Sequence, residues 1–135
     1  MKGILADINS GKQVRVLVRL LQDEGRAPFW NYLNLTTPTF AEIGLKPDES
    51  DWIVWQKCQE EGLVLVTSNR NAAGPDSLEM VIQTLGTPNS LPIFTLADGQ
   101  RVLQERLYAE RVADRLLEYL FDIEKCRGVG RLYLP

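Results

Sequence analysis

Histidine is absent from this chain of 135 residues, and that absence excludes several chemistries at once. No serine or cysteine nucleophile can have a histidine as its general base, so Ser-His-Asp and Cys-His hydrolases are excluded. Zinc sites that combine cysteine with histidine are excluded too, which leaves carboxylate, amide and hydroxyl oxygens as metal ligands. Any bound metal is therefore expected to be a hard, oxygen-bound ion such as Mg²⁺ or Mn²⁺.

Cysteine and long apolar runs are also scarce. Cys58 and Cys126 lie far apart in helix-like contexts, and we interpret both as reduced thiols packed in or near the core. No apolar run approaches the roughly 20 residues of a membrane span. Residues 1–7 lack the long apolar region and the small-residue cleavage site of a signal peptide. We therefore expect a cytoplasmic protein with no membrane partner.

An excess of positive charge is missing as well, since the net charge is −3. The chain as a whole therefore does not attract nucleic acid, and RNA binding would need a local basic patch. Arg15, Arg19 and Arg70 are candidates for that patch: the first two share a helix face, and Arg70 follows the central strand. A solvated helix face is the more common role for Arg15 and Arg19.

Hydrophobic residues make up 44% of the chain and charged residues 24%, which is the balance of an ordinary globular protein. No repeat or linker divides the sequence, so residues 1–135 are predicted to form a single domain. Periodicity predicts strands at 3–6, 35–37, 63–66, 91–96 and 131–134, and helices near 14–21, 29–33, 52–61, 78–85 and 109–124. Helices that alternate with buried strands predict an α/β fold of three αβα layers, with a mostly parallel central sheet of four or five strands.

The stretch 62–71 is the centre of this pattern. The run from Leu63 to Val66 is apolar, short and preceded by Gly62, as in a strand that is buried on both faces. It ends in the polar segment 67–71, and binding sites of parallel α/β sheets lie just beyond the carboxyl ends of such strands.

Polar side chains lie at the ends of several predicted strands and helices, and these side chains can converge. Asp7 follows the first strand, Asp51 opens a helix, and Asn69 and Asn71 follow the central strand. Clustered carboxylates resist joint ionisation unless a cation lies between them. A Mg²⁺ ion held there would activate water and neutralise charge on a phosphodiester.

In these features the sequence resembles the PIN-like nuclease domain, and most of all the small bacterial members whose central motif is T-x-D-x-D-F after a buried strand. The resemblance is carried by the strand ending in Asp7, by Gly44-Leu45 and Ser50-Asp51 before a helix, and by 63–67 ahead of an x-N-x-N loop. It covers at least residues 4–96. It implies a Mg²⁺- or Mn²⁺-dependent endoribonuclease, either the toxin of a toxin–antitoxin pair with an antitoxin partner or an RNA-processing enzyme.

The resemblance also implies the site residues. Asp7 matches the first acidic ligand of the family, and Asp51 matches the acidic residue that opens the helix before the central strand. The other two acidic positions are Asn69 and Asn71 here, and Ala72 replaces the aromatic residue. The metal site would thus consist of Asp7, Asp51, Asn69 and Asn71, with about two negative charges instead of about four and a lower Mg²⁺ affinity.

Local roles compete with each of these assignments. Asp7 can open a turn, Asp51 can cap a helix, and Asn69 and Asn71 are common turn residues. Substitute acids follow at three positions downstream: Asp76, Glu79 and Asp98. The active ribonuclease therefore has an alternative, a catalytically inactive PIN-like module that binds RNA, a protein partner or a second copy of itself. An unrelated enzyme on the same scaffold is a third, weaker hypothesis.

Three tryptophans complete the candidate features. Trp30, Trp52 and Trp55 can stack on bases, but Trp52 and Trp55 have helical spacing and more often form core or a subunit interface. An exposed Trp52–Trp55 face would favour a homodimer.

Overall fold

A sheet of four parallel strands forms the centre of the fold, which we describe from a computed structural model over residues 1–68 and 77–135. The strands are β1 (Gly3–Ala6), β2 (Leu63–Thr67), β3 (Ile93–Leu96) and β4 (Arg131–Leu134). They lie side by side in chain order, with Leu5 opposite Leu65 and Phe94 opposite Leu132. The predicted α/β class is confirmed, with four strands in the sheet.

Helices cover both faces of this sheet. They are α1 (Gly11–Leu21), α2 (Ala27–Leu33), α3 (Asp51–Glu61), α4 (Leu78–Leu85), α5 (Gly99–Gln104) and α6 (Arg106–Phe121), with 3-10 turns at Ala41–Ile43 and Ile123–Cys126. One apolar cluster joins α1, α2, α5 and α6 to one face, and a second joins α3 and α4 to the other. These are the predicted three αβα layers. Among the described residues, no helix is both long and apolar enough to span a bilayer.

Strand side chains alternate between the two helical layers, which decides where the strand ends direct their polar groups. Ile4, Val64 and Val66 belong to the cluster on the α1–α6 side, whereas Leu5 and Leu65 belong to the cluster on the α3–α4 side. Both faces are buried, which explains the continuous apolar runs. Asp7 and Thr67 follow Ala6 and Val66 and are the first polar residues at these strand ends. The alternation places both on the α3–α4 side.

The structure differs from the sequence-based expectations at two places. The helix predicted near 109–124 begins at Arg106 and ends at Phe121, and α5 precedes it. Asp98 begins α5 by accepting a hydrogen bond from Arg101 N at 3.1 Å, and Glu105, with φ −126° and ψ 104°, separates the two helices. No glycine or proline marks that break, so the sequence pattern did not reveal it.

The strand predicted at 35–37 is instead a single bridge at Thr36, opposite Gly3. Ile4 N donates to Thr36 O at 2.9 Å, and Thr36 N donates to Lys2 O at 3.0 Å. The segment cannot extend the pairing far, because Pro38 has no N–H to donate. Thr36 thereby covers part of the outer edge of β1.

An ion pair joins the start of α2 to α6. Arg26 Nε donates to Asp114 Oδ1 at 2.6 Å and Arg26 Nη2 donates to Asp114 Oδ2 at 3.1 Å. This hydrogen bonding lowers the pKa of Asp114 below its ordinary value. The stabilisation is limited to about 1 kcal/mol, because water screens a pair whose carboxylate is 55% exposed.

Replacing Arg26 by Gln is therefore expected to reduce the free energy of unfolding by about 1 kcal/mol at pH 7. Because the pKa of Asp114 is depressed in the folded state, the contribution is complete above the unfolded pKa of about 4 and is lost as the pH falls through the folded value. Urea unfolding should show that the free energies of unfolding of the two proteins converge at about pH 2. A gap of the same size at both pH values would contradict this assignment.

Candidate functional site: a cleft at the carboxyl end of β1

The carboxylate of Asp7 is held in place at the end of β1. Asp7 N donates to Val66 O at 2.9 Å, which continues the pairing of β1 with β2. Thr67 Oγ1 donates to Asp7 Oδ2 at 2.8 Å, and Ile8 N donates to Asp7 Oδ1 at 2.9 Å. A carboxylate offers about four lone-pair sites, so both oxygens can accept further hydrogen bonds. The result is a fixed, partly exposed anion at the carboxyl edge of the sheet.

Neutral polar groups fill the adjoining part of this edge. Ser10 is buried, and its Oγ accepts a hydrogen bond from Ser68 N at 3.0 Å. The two hydroxyl oxygens lie 3.4 Å apart. A Cβ atom on Gly99 would lie 2.8 Å from Ser68 Oγ, so the start of α5 packs closely here because this residue has no side chain. Asp7 is therefore the charged member of the cluster that these described residues form.

A cleft of about 510 Å³ opens beside Asp7 at the outer edge of β1. Helix α1 forms one wall, and the segment 37–40 forms the other. Arg15 and Arg19, both exposed, line the α1 wall. Within residues 1–68 and 77–135, neither arginine forms an ion pair with an acidic side chain. Asp7 thus borders a cleft with two cations on its α1 wall that no described carboxylate neutralises.

Asp51 lies near the same end of the sheet but does not line the cleft. It is the first residue of α3, and the preceding Ser50 caps the helix by accepting from Ile53 N at 3.4 Å. Helix α3 and strand β2 are each about 16 Å long and are joined by a turn at Gly62, so α3 begins near the end of β2. Asp7 and Asp51 are therefore on the same face and at the same edge.

The remaining predicted site residues are only partly described. Asn69, Arg70, Asn71 and Asp76 lie outside the described residues. Glu79 is engaged with Arg131, and Asp98 begins α5, so neither is a spare acid in the cleft. Over the two described ranges, no three acidic or cysteine side chains converge in a way that could hold a metal ion. Of the four predicted metal ligands, the described ones are Asp7 and Asp51.

Tryptophan does not supply a stacking surface in this region. Trp30 and Trp55 are buried, and the half-buried Trp52 packs against the cluster on the α3–α4 side. The exposed Trp52–Trp55 face that would have favoured a homodimer is thus not present. The most exposed aromatic residues are elsewhere, on α2, α6 and β4.

The cysteines are unbonded and buried, as predicted. Burial, together with the negative charge of Asp7, raises the pKa of the Cys58 thiol to about 12. Burial also raises the pKa of Cys126. A thiol with a raised pKa is protonated at neutral pH and is a poor nucleophile. Cys58 therefore supports the packing of α3 beneath the site and does not contribute chemistry to it.

Comparison with known proteins finds no family model, no curated protein and no solved structure that matches this chain. The likeness to PIN-like domains therefore stays a prediction from the sequence motifs. Sequence reasoning missed the role of Thr67 as the hydrogen-bond partner of Asp7 and the contribution of 37–40 to the cleft. The first could have been found by aligning β1 with β2, since Ala6 pairs with Val66 and the following residues are neighbours.

Proposed function

We propose that this chain is a PIN-like domain that binds single-stranded RNA in the cleft between α1 and the segment 37–40. The placement of Arg15, Arg19 and Asp7 in one cleft supports this function above others. The two arginines are separated by about 6 Å along the axis of α1, so one strand can contact both. Guanidinium groups bind phosphate through paired hydrogen bonds, and they do so best where no carboxylate already occupies them.

Asp7 would make this cleft bind RNA more tightly than DNA. A carboxylate repels phosphate but accepts a hydrogen bond from a hydroxyl, and the ribose 2′-hydroxyl is the donor that DNA lacks. Thr67 and Ile8 hold the carboxylate in one orientation, so accepting this bond costs little ordering. In the proposed complex, arginines contact phosphates and Asp7 contacts the sugar.

Replacing Arg15 and Arg19 together by Gln is expected to weaken binding of a 12-nucleotide RNA about 30-fold at low salt, since each arginine loses a phosphate contact. Fluorescence anisotropy across a salt series should show a shallower dependence of log K on log salt. The magnitude of the slope should decrease by roughly 0.7 per arginine, the value for single strands. Arg111→Gln, an exposed arginine on α6 that does not line the cleft, is the matched control.

One result would refute RNA binding in the cleft, and another would refute the role of Asp7 in it. The first is that the double variant and the Arg111→Gln control both bind RNA as tightly as the unmodified chain does. The other is equal affinity for RNA and for DNA of the same sequence, because the contact of Asp7 with the 2′-hydroxyl would then have no effect.

A metal-dependent ribonuclease is the second candidate function. The fixed orientation of Asp7 and the position of Asp51 at the same edge favour it, because hard cations bind such oxygens. Asp7 and Asp51, with Asn69 and Asn71 as neutral ligands, would hold Mg²⁺ or Mn²⁺. The bound ion would supply activated water for phosphodiester hydrolysis. Two carboxylates predict weaker affinity than four would give.

Cleavage and binding are distinguished by one assay. Single-stranded RNA is incubated with Mn²⁺ or Mg²⁺ and either the unmodified chain or Asp7→Asn, which keeps the side-chain shape and removes the charge. If the chain is an active ribonuclease, cleavage requires the metal and is lost in Asp7→Asn. If the RNA binds but stays intact, and calorimetry detects no Mn²⁺ binding, the ribonuclease hypothesis is refuted and RNA binding is supported.

A further inference from the structure

Three exposed aromatic rings form a continuous patch on α2 and α6, away from the cleft. Phe29 is 54% exposed, Tyr32 79% and Phe121 43%. Tyr32 stacks on Phe121 with ring centroids 5.9 Å apart and planes 7° apart. Phe29 meets Phe121 edge to face at 6.1 Å. We refer to Phe29, Tyr32 and Phe121 as the aromatic patch.

The aromatic patch has the composition of a binding surface. Single exposed apolar side chains are common on proteins, but a group of three large rings, two of them packed on the third, is not. Tyrosine and phenylalanine bury a large area with few rotatable bonds, which is why aromatic residues are enriched at interfaces. Here the rings already support one another, so covering them would require little further ordering.

Acidic side chains border the patch. A groove of about 560 Å³ runs along it, lined by Phe29, Leu117 and Phe121 and by three carboxylates, those of Asp114, Glu118 and Asp122. The residues lining this groove include no lysine or arginine. The groove therefore has apolar walls under a rim of carboxylates, whose ion-pair partners Arg26, Arg115 and Lys125 do not line it.

Part of the rim charge is available to a ligand. Both carboxylate oxygens of Asp114 accept from Arg26. Glu118 uses Oε2 to bind Arg115 at 3.2 Å, and Asp122 uses Oδ1 for a 4.0 Å contact with Lys125. Within the described part of the chain, Glu118 Oε1 accepts no hydrogen bond from Arg115, and Lys125 Nζ comes no nearer than 4.0 Å to Asp122. Glu118 Oε1 and Asp122 Oδ2 can accept hydrogen bonds from a cationic group in the groove.

The rim charge discriminates between occupants. Bases can stack on exposed rings, but the phosphates beside them would lie against carboxylates. A second copy of this chain related by a two-fold axis would bring the same acidic rim against itself. A positively charged side chain is attracted both to the faces of the rings and to the carboxylates, and its aliphatic stem covers apolar surface.

We propose that the aromatic patch and its acidic rim dock a partner protein through a segment in which arginine or lysine alternates with apolar residues. The apolar side chains of that segment cover Phe29 and Phe121. Its cations reach Glu118 and Asp122. None of the patch residues lines the cleft of Asp7, so the docking surface is separate from the cleft. The inference does not depend on RNA binding.

Two synthetic peptides test this docking surface on the full chain. One alternates leucine with arginine, and the other alternates leucine with glutamate. We expect the arginine peptide to shift the aromatic NMR signals of Phe29, Tyr32 and Phe121, and to bind at least about tenfold more tightly than the glutamate peptide. Binding should weaken as salt is added, because the rim is at the protein surface.

Substitutions locate the binding. Tyr32→Ala, at a side chain too exposed to support the fold, should weaken binding of the arginine peptide about fivefold. Glu118→Gln combined with Asp122→Asn, which keeps the shapes, should do the same and remove most of the salt dependence. Tyr133→Ala, at an exposed ring on β4, should leave the affinity unchanged.

Four results would overturn the proposal. They are no shift of the patch signals with about 1 mM arginine peptide, equal shifts with the glutamate peptide, signal shifts from a single-stranded RNA at the patch, and self-association of the chain that Tyr32→Ala abolishes. The third would assign the patch to nucleic acid, and the fourth to a second copy of this chain.

Discussion

Replacing Glu79 by Ala is expected to lower the free energy of unfolding by about 3 kcal/mol, the low end of the cost of removing one partner from a buried ion pair. Arg131 Nε donates to Glu79 Oε1 at 2.5 Å, and Nη1 donates to Thr95 Oγ1 at 2.5 Å. The Arg131 side chain is only 6% exposed, whereas that of Glu79 is 32% exposed. Without Glu79, the guanidinium charge would stay in the interior with less compensation, between α4, β3 and β4.

Chemical unfolding of a set of variants measures this contribution. Glu79→Gln, which keeps an acceptor oxygen and removes the charge, should lie between the unmodified chain and Glu79→Ala. Glu79→Leu combined with Arg131→Met should recover only part of the loss, because the apolar pair removes the buried charge but also removes the hydrogen bond to Thr95 Oγ1. A loss below about 0.5 kcal/mol for Glu79→Ala would show that the pair is screened like a surface ion pair.

Replacing Gly3 by Ala is expected to cost about 3 kcal/mol, at the upper end of the range for overpacking. A Cβ atom at Gly3 would lie 2.2 Å from the carbonyl oxygen of Thr36 and 2.4 Å from its hydroxyl oxygen. Because the first of these is a backbone atom, no rotamer change relieves the overlap. The variant must displace the segment around Thr36, with loss of its hydrogen bonds to Lys2 and Ile4.

The matched control is Gly25→Ala, at a glycine with no atom within 4 Å of the added Cβ. It should change stability by no more than about 0.5 kcal/mol. Gly3→Ala should also weaken the proposed RNA binding, because residues 37–40, directly after Thr36, form a wall of the cleft. Equal stability of the two variants would mean that Thr36 does not pack against β1 in solution.

The elements that could be predicted from the sequence are those with local signals. Gly62 ends α3 at φ 71°, a conformation that glycine adopts easily, and Ser77 caps α4 by accepting from Met80 N. The run at β2 is apolar because both of its faces are buried. The boundary between α5 and α6 has no such signal, since Glu105 leaves the helical conformation in a stretch without glycine or proline.

The features of the site also separate into those with a local sequence signal and those without one. Arg15 and Arg19 share the α1 wall because their spacing is helical, which a sequence shows directly. The hydrogen bond from Thr67 to Asp7 joins residues that are distant in the chain, and it depends on the register of β1 against β2. The wall formed by 37–40 depends on the bridge between Thr36 and Gly3, which has no periodic pattern. Asn69 and Asn71 lie outside the described residues.

The order of the strands also determines which part of the sheet is slowest to assemble. Leu5 pairs with Leu65 about 60 residues away, whereas the pairs of β2 with β3 and of β3 with β4 close segments of about 30 and 40 residues. Each doubling of a closed segment costs roughly 0.6 kcal/mol of chain entropy. We therefore expect strand β1 to join last and to leave first, together with Asp7. A partly unfolded form that retains only β2, β3 and β4 would lack the cleft and would lose the proposed RNA binding.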